Sequence, residues 1–269
     1  MWCLYEREKD EGERKKMMKK IFIMLSGVLV LFLTIPLLKL IFGVSMDAYF
    51  ETIKDTEVLN SIFLTMKVSF MATLFVLFTG LPLAYIIARY EFFGKSLLES
   101  IIDIPTMVPH TAAGIALLMT FGTEKIQNFL NSVGLGFIDS TTGIMAAMMF
   151  LSAPYLINSA KEGFKNVDVK LENISRSLGA NQFETFIKIV IPNAKKDIIN
   201  GMLMMWARGL GEFGAVVIIA YHPMTVPVLI YDRFINFGLN YSAPVAALMI
   251  IFSVIIFLTI RWLNNRSGY

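Results

Sequence analysis

The chain has 269 residues, of which 56% are apolar and only 17% charged, with a formal net charge of +3. That balance excludes an ordinary water-soluble domain and makes a bilayer the expected solvent. A single cysteine, Cys3, excludes an internal disulfide and a cysteine-rich metal centre.

Residues 1–19 are rich in charge and are expected to be an unstructured tail, with Met17 and Met18 standing where a shorter chain would begin. Six apolar runs follow, at residues 21–42, 62–87, 101–121, 141–157, 198–220 and 243–263. Each approaches the roughly 20 residues a helix needs to cross hydrocarbon. The expected fold is therefore an all-α integral membrane protein with six transmembrane helices. The first run is too long for the apolar segment of a signal peptide and lacks a small-residue cleavage site, so it reads as a span. It and its following loop occupy residues 20–58, a core occupies 59–263 with its longest polar loop at 161–197, and 264–269 form a closing tail.

Lysine and arginine placement sets the expected orientation. One side carries seven in the N-terminal tail, Arg89 and Lys95, seven between Lys161 and Lys196, and Arg261 and Arg266. The other carries only Lys54, Lys125 and Arg233. Both termini and the loop 161–197 are thus expected in the cytoplasm. Lys67, inside the second run, is expected to snorkel or to pair within the bundle, with no partner assigned.

In the third run Pro105 and Pro109 bracket an expected break beside His110 and Thr111. Broken backbone at membrane depth is tolerated only where protein or a water-filled cavity surrounds it. These residues are candidates for a pathway wall, against the plainer reading of His110 as a satisfied helix histidine. Pro154 interrupts the fourth run.

The polar loop contains ENISRSLGANQFETFIKIVIP at 172–192. Ile174 and Leu178 are four apart, and Phe183, Phe186, Ile187 and Val190 recur at three and four, which predicts two short helices with one apolar face each. Gly179 stands where they would join, and Pro192 where the second would end. Periodicity alone leaves open a helix lying on lipid, a connector under the bundle, or a docking element.

In the fifth run Arg208 and Glu212 are one turn apart. A central membrane charge costs about 2.5–3.5 kcal/mol on insertion scales, so an ion pair turned toward the bundle is expected, either fixing packing or forming part of a gate. Ala207, Gly211 and Ala215, widened by Gly214, make a small-residue stripe suited to close helix approach, along the pathway, a dimer axis or an internal seam. Residues 222–234 are too broken by Pro223 and Pro227 to span. They are expected to form an outer gate element, a docking rim or a packed loop.

Gly179 followed by Ile189, Ile191 and Pro192 resembles the cytoplasmic EAA loop of ABC importer permeases. Asn173, Ile174 and Ser175 stand where that family has Glu-Ala-Ala, and Glu172 falls one place early. Residues 206–221, WARGLGEFGAVVIIAY, with PVLIYDRF after them, resemble the molybdate/tungstate subfamily, in which Ala-Arg-x-x-x-Glu-Phe-Gly-Ala recurs. The likeness runs over about residues 59–263. It implies a type I ABC importer transmembrane fold in the plasma membrane, working as a homodimer. It also implies two separate ATPase subunits inside, which hold the ATP and Mg, and a soluble oxyanion-binding protein outside. By the same resemblance Glu172, Asn173, Ile174, Ser175, Leu178, Gly179, Phe183, Phe186, Ile189, Ile191 and Pro192 form the ATPase-coupling surface. Arg208, Gly211, Glu212 and Gly214, with Pro105, Pro109 and His110, are the pathway or gate candidates.

The chain has no G-x-x-x-x-G-K-[ST] loop, so no ATP chemistry is expected through that motif, and no cofactor or metal site is expected on this chain. Its basic residues follow topology and give no argument for nucleic acid. The competing readings are a sulfate or other oxyanion permease and, from other classes, an ion-coupled secondary transporter or an intramembrane enzyme. No repeat and no nucleophile with a base support the last two.

Overall fold

The computed structural model describes the backbone of residues 2–266 and the side chains of residues 14–259. In chain order the elements are α1 (Trp2–Phe42), α2 (Met46–Lys54), α3 (Thr56–Arg89), α4 (Lys95–Met107), α5 (His110–Phe121), α6 (Glu124–Ser132), α7 (Thr141–Asn166), α8 (Val169–Ser177), α9 (Gln182–Thr185), a π turn (Phe186–Val190), α10 (Ile191–Asn193), α11 (Lys195–Leu210), α12 (Val216–Ile219), α13 (Val226–Phe237) and α14 (Leu239–Arg266). Side chains set several of the starts. Asp55 accepts from the Glu57 amide at 2.9 Å, Ser140 from Gly143 at 3.1 Å and Asp168 from Lys170 at 2.9 Å, each satisfying a donor that the first helical turn leaves free.

α3, α7 and α11 form the centre. Their contact surfaces supply Val68, Ala72, Ile144, Met148, Leu156, Phe164 and Met205 to one continuous core. Small residues set the closest approach. A Cβ on Gly201 would come within 3.1 Å of the Leu156 Cα and 2.8 Å of the Ser159 Cβ, so α11 lies directly on α7. Buried hydroxyls return to their own helix, Thr65 to the Ser61 carbonyl at 2.6 Å and Thr73 to that of Ser69 at 2.9 Å.

Among the described residues, four helical segments are long and apolar enough to cross a membrane: Arg14–Phe42, Thr56–Arg89, Thr141–Asn166 and Leu239–Thr259. α1 packs on α14 and exposes Phe22, Leu29 and Phe32 by more than half, as expected where the solvent is hydrocarbon. The protein is a multi-pass membrane protein. The charged stretch expected to be an unstructured tail is instead continuous with α1. It contains no proline or glycine before Gly12, and it adjoins a strongly apolar helix that can propagate into it.

Two of the six expected spans are not single helices. The third is α4 and α5, bent by 114°. Pro105 sits inside α4 and does not break it; the break comes at Val108, whose ψ of 136° is the extended conformation that the following Pro109 demands. The fifth is α11, 16 residues or roughly 24 Å long, which stops at Gly211 before the four-residue α12. Gly209, Gly211 and Gly214 weaken helix propagation there, and the Glu212 carboxylate takes over the amide of Ala215 at 3.1 Å. Residues 222–234 do not span, and most of them form α13, which packs on α14.

Candidate coupling surface and membrane-depth charge cluster

Asp168 starts α8, which brings Glu172 inward to a position 4% exposed. There the carboxylate accepts from Arg89 Nε at 2.6 Å and from the Tyr85 hydroxyl at 2.8 Å. Arg89, the last residue of α3, also donates to the Val167 carbonyl at 2.8 Å. The loop is thereby fixed to the end of a membrane-spanning helix by a nearly dry ion pair.

α8 closes with a left-handed Gly179, φ 94°, whose amide donates to the Arg176 carbonyl at 3.0 Å. Asn181 and Glu184 then form a capping box that starts α9. The Asn181 amide, and after it Lys188, hold the exposed Glu184 carboxyl below its ordinary value. Pro192 was expected to end the second helix. Instead the chain passes through the π turn, where the Ile191 amide reaches the Phe186 carbonyl, and continues through Pro192 in α10. The wider turn absorbs the hydrogen bond that proline cannot donate.

The surface divides sharply. Phe186 turns inward, its ring 4.8 Å from Tyr85 and 5.8 Å from Phe164, and Val190 is buried with it. Ser175 meets buried Thr185 at 3.1 Å, and Ile189 and Ile191 are half-buried. Outward point Ile174, Leu178 and Phe183, at 57%, 84% and 72% exposure, with Asn173, Gly179 and Pro192 around them. Glu172 and Phe186, grouped with the coupling surface on sequence grounds, are therefore its foundation and not its face. The period-four pattern could not separate Phe186 from the exposed Phe183, since both are apolar and three apart, and Glu172 was grouped with the surface through the resemblance alone.

The second site lies where the two broken segments meet. Glu212, 1% exposed, receives Arg208 Nη1 at 3.0 Å. His110, the first residue of α5, places Nδ1 2.9 Å from Glu212 Oε2, while its Nε2 lies 2.5 Å from Arg208 Nη2. The assignment that satisfies both has Nδ1–H donating to Glu212 and Nε2 accepting from Arg208. A Cβ on Gly214 would stand 2.6 Å from the His110 Cβ, and one on Gly114 2.9 Å from the Ala215 backbone, so the two breaks touch only because these positions are glycine. Pro105 is buried within α4, away from the turn that Pro109 creates. The small-residue stripe splits. Ala215 is buried against α5, whereas Ala207 and Gly211 line an apolar groove of about 650 Å3 that also touches α1, α13 and α14.

At the opposite end of α3, Arg233 of α13 donates to Asp55 at 2.6 Å and to Glu57 at 3.1 Å. Burial acts to raise the Asp55 carboxyl, but Arg233 and the Glu57 and Val58 amides outweigh it and hold it below its ordinary value. No cluster of metal-ligating side chains occurs among the described residues.

The family of binding-protein-dependent transport system inner membrane components matches residues 80–268. The chain belongs to that family. The permease is 37% identical over 257 residues to the molybdate/tungstate transport system permease protein of Pyrococcus furiosus, covering 95% of this chain and 98% of that one. It is 36% identical to the protein of the same description from Methanocaldococcus jannaschii, covering 93% and 100%. Its fold matches the solved structure of a bacterial alginate ABC transporter in complex with an alginate pentasaccharide-bound periplasmic protein, with a TM-score of 0.72, 17% identity and 95% of each chain covered. The loop with Gly179 and the Arg208–Glu212 segment both fall inside the matched region of the permease. Arg89 and Tyr85, which hold that loop, went unseen in the sequence, because nothing in linear spacing links a basic residue at one helix end to an acid 83 positions on.

Proposed function

We propose that the permease is the membrane subunit of an ATP-driven importer of molybdate or tungstate, working by alternating access in the plasma membrane. Two copies of the chain surround the pathway. Two ATPase subunits, which carry the ATP and Mg, dock on the cytoplasmic side, and an extracytoplasmic oxyanion-binding protein docks outside. Both termini and the α8–α10 loop face the cytoplasm, as the excess of lysine and arginine on that side supports.

The observation that carries this reading is the α8–α10 knob: three large apolar side chains exposed at a glycine bend on a foundation locked to α3. Moving a two-state population from about 1:99 to 99:1 takes roughly 5.5 kcal/mol. Seating Ile174, Leu178 and Phe183 in an ATPase groove involves about 1.5–3 kcal/mol each, a total of the same size as that bias, delivered through a solid contact. Relatives 36–37% identical over nearly the whole chain and described as molybdate/tungstate permeases support the oxyanion. The Arg208–His110–Glu212 cluster, at the junction of two broken segments, is the proposed gate wall.

Co-expression with the proposed partner ATPase, followed by uptake into proteoliposomes, tests the assignment. Leu178→Asp and Gly179→Pro are expected to abolish ATPase co-purification and transport-coupled hydrolysis while the permease still inserts. Retained coupling in both variants refutes the docking role. Competition between molybdate, tungstate and sulfate for uptake decides the substrate, and sulfate outcompeting both refutes the molybdate/tungstate assignment.

A further inference from the structure

α3 is apolar along most of its length, yet Glu57, Asn60, Ser61 and Lys67 recur on one face near its Thr56 end. That face forms one wall of a cavity of about 550 Å3, which His222 and Met224, in the turn ahead of α13, also line. The volume falls in the several-hundred-Å3 range of small-ligand sites. Lys67 lies roughly 16 Å along a membrane helix from Thr56. It has no ion-pair or hydrogen-bond partner among the described residues. Glu57, the acid on the same wall, already receives Arg233 at 3.1 Å. Arg233 is shared with Asp55 at 2.6 Å, so Glu57 keeps part of its charge, and the exposed Lys67 is the cation that lines this cavity.

A lysine that merely snorkels needs only apolar surface for its stem and water for its head. It does not account for the amide of Asn60 and the imidazole of His222 lining the same space. An exposed ammonium sharing an open cavity with the Asn60 amide and the His222 imidazole offers several donors to an anion with several acceptor oxygens. The cavity sits at the end of α3 opposite the Arg89–Glu172 lock. If that lock faces the cytoplasm, the cavity faces the side from which substrate arrives.

We propose that this cavity is an acceptor site for a dianionic tetrahedral oxyanion entering the permease, with Lys67 as its counter-charge and Asn60 and His222 as donors. The proposal rests on the reading of the chain as an oxyanion importer. A single lysine against a dianion keeps the site weak, so the anion moves on and is not trapped.

The test uses the purified permease–ATPase complex in nanodiscs, without the delivery protein, and equilibrium binding of radiolabelled tungstate. The same complexes are then assayed for tungstate uptake with the delivery protein present. Lys67→Met is expected to weaken binding at least tenfold and to raise the half-saturating concentration for uptake by a similar factor. Lys67→Arg should stay within about threefold of the unmodified complex, and ATPase co-purification should be unchanged in both. His222→Gln, expected to lose two- to fivefold, carries the test should Lys67→Met fail to fold. An unmodified complex that imports tungstate, with Lys67→Met binding and importing equally well, overturns the cavity assignment and leaves the import reading intact. An unmodified complex that neither binds nor imports tungstate overturns both.

Discussion

Removing the Glu172 carboxylate should disconnect the loop from the helix it is anchored to. In Glu172→Ala the Arg89 guanidinium, whose side chain is 10% exposed, keeps only the Val167 carbonyl, and the Tyr85 hydroxyl loses its acceptor. Breaking one partner from a buried ion pair costs about 3–5 kcal/mol, because the remaining charge stays desolvated. That is more than half of the roughly 5.5 kcal/mol needed to carry a transporter between its two states. The loop can escape the penalty by swinging Arg89 to water, which gives up the Val167 carbonyl as well. Delivery-protein-stimulated ATP hydrolysis in the reconstituted complex is expected to fall at least tenfold, with the apparent Tm of the detergent-solubilised permease lowered. The double variant Arg89→Met/Glu172→Met, which removes both charges, should recover most of the stability. A Glu172→Ala permease with unmodified Tm and full stimulation refutes the lever, as does a double variant no more stable than the single one.

Three further outcomes follow from local geometry. Gly214→Ala places a methyl 2.6 Å from the His110 Cβ and should cost about 1–3 kcal/mol, whereas Gly211→Ala, with open space around its Cβ, should be tolerated; thermal unfolding of the two variants makes the comparison. The Asp55 carboxyl is lowered in the folded state, so its contribution is complete above the ordinary carboxylate value of about 3.9 and is lost as pH falls through the lower folded value. Tm measured from pH 7 to pH 3 should drop more steeply below about pH 4 in the unmodified permease than in Asp55→Asn. Tyr85→Phe removes one donor to Glu172 but leaves Arg89 in place, so it should cost about 1.5–3 kcal/mol, less than Glu172→Ala, and leave coupling largely intact, read by the same hydrolysis assay.

The amphipathic loop and its glycine bend were legible because their signals are local: period-four apolar positions, and one residue able to adopt a φ of 94°. Ion pairing of Arg208 with Glu212 was legible for the same reason, four positions along one stretch of chain. His110 joins them from 98 residues away, and no linear pattern could have said so. Nor could hydropathy reveal that the third and fifth runs are interrupted, since averaging over a window hides the single residues, Val108 before Pro109 and the glycines around 211, at which the backbone turns.

By itself, the sequence determined the solvent and the class. Long apolar runs cannot be satisfied in water, and an uneven distribution of lysine and arginine, a glycine bend and a family-like loop survive any detail of packing. Only the tertiary structure decided which side of the loop is foundation and which is face, and which distant charges meet. Those outcomes depend on distance between residues far apart in the chain, and burial makes each such pairing worth several times its value in water.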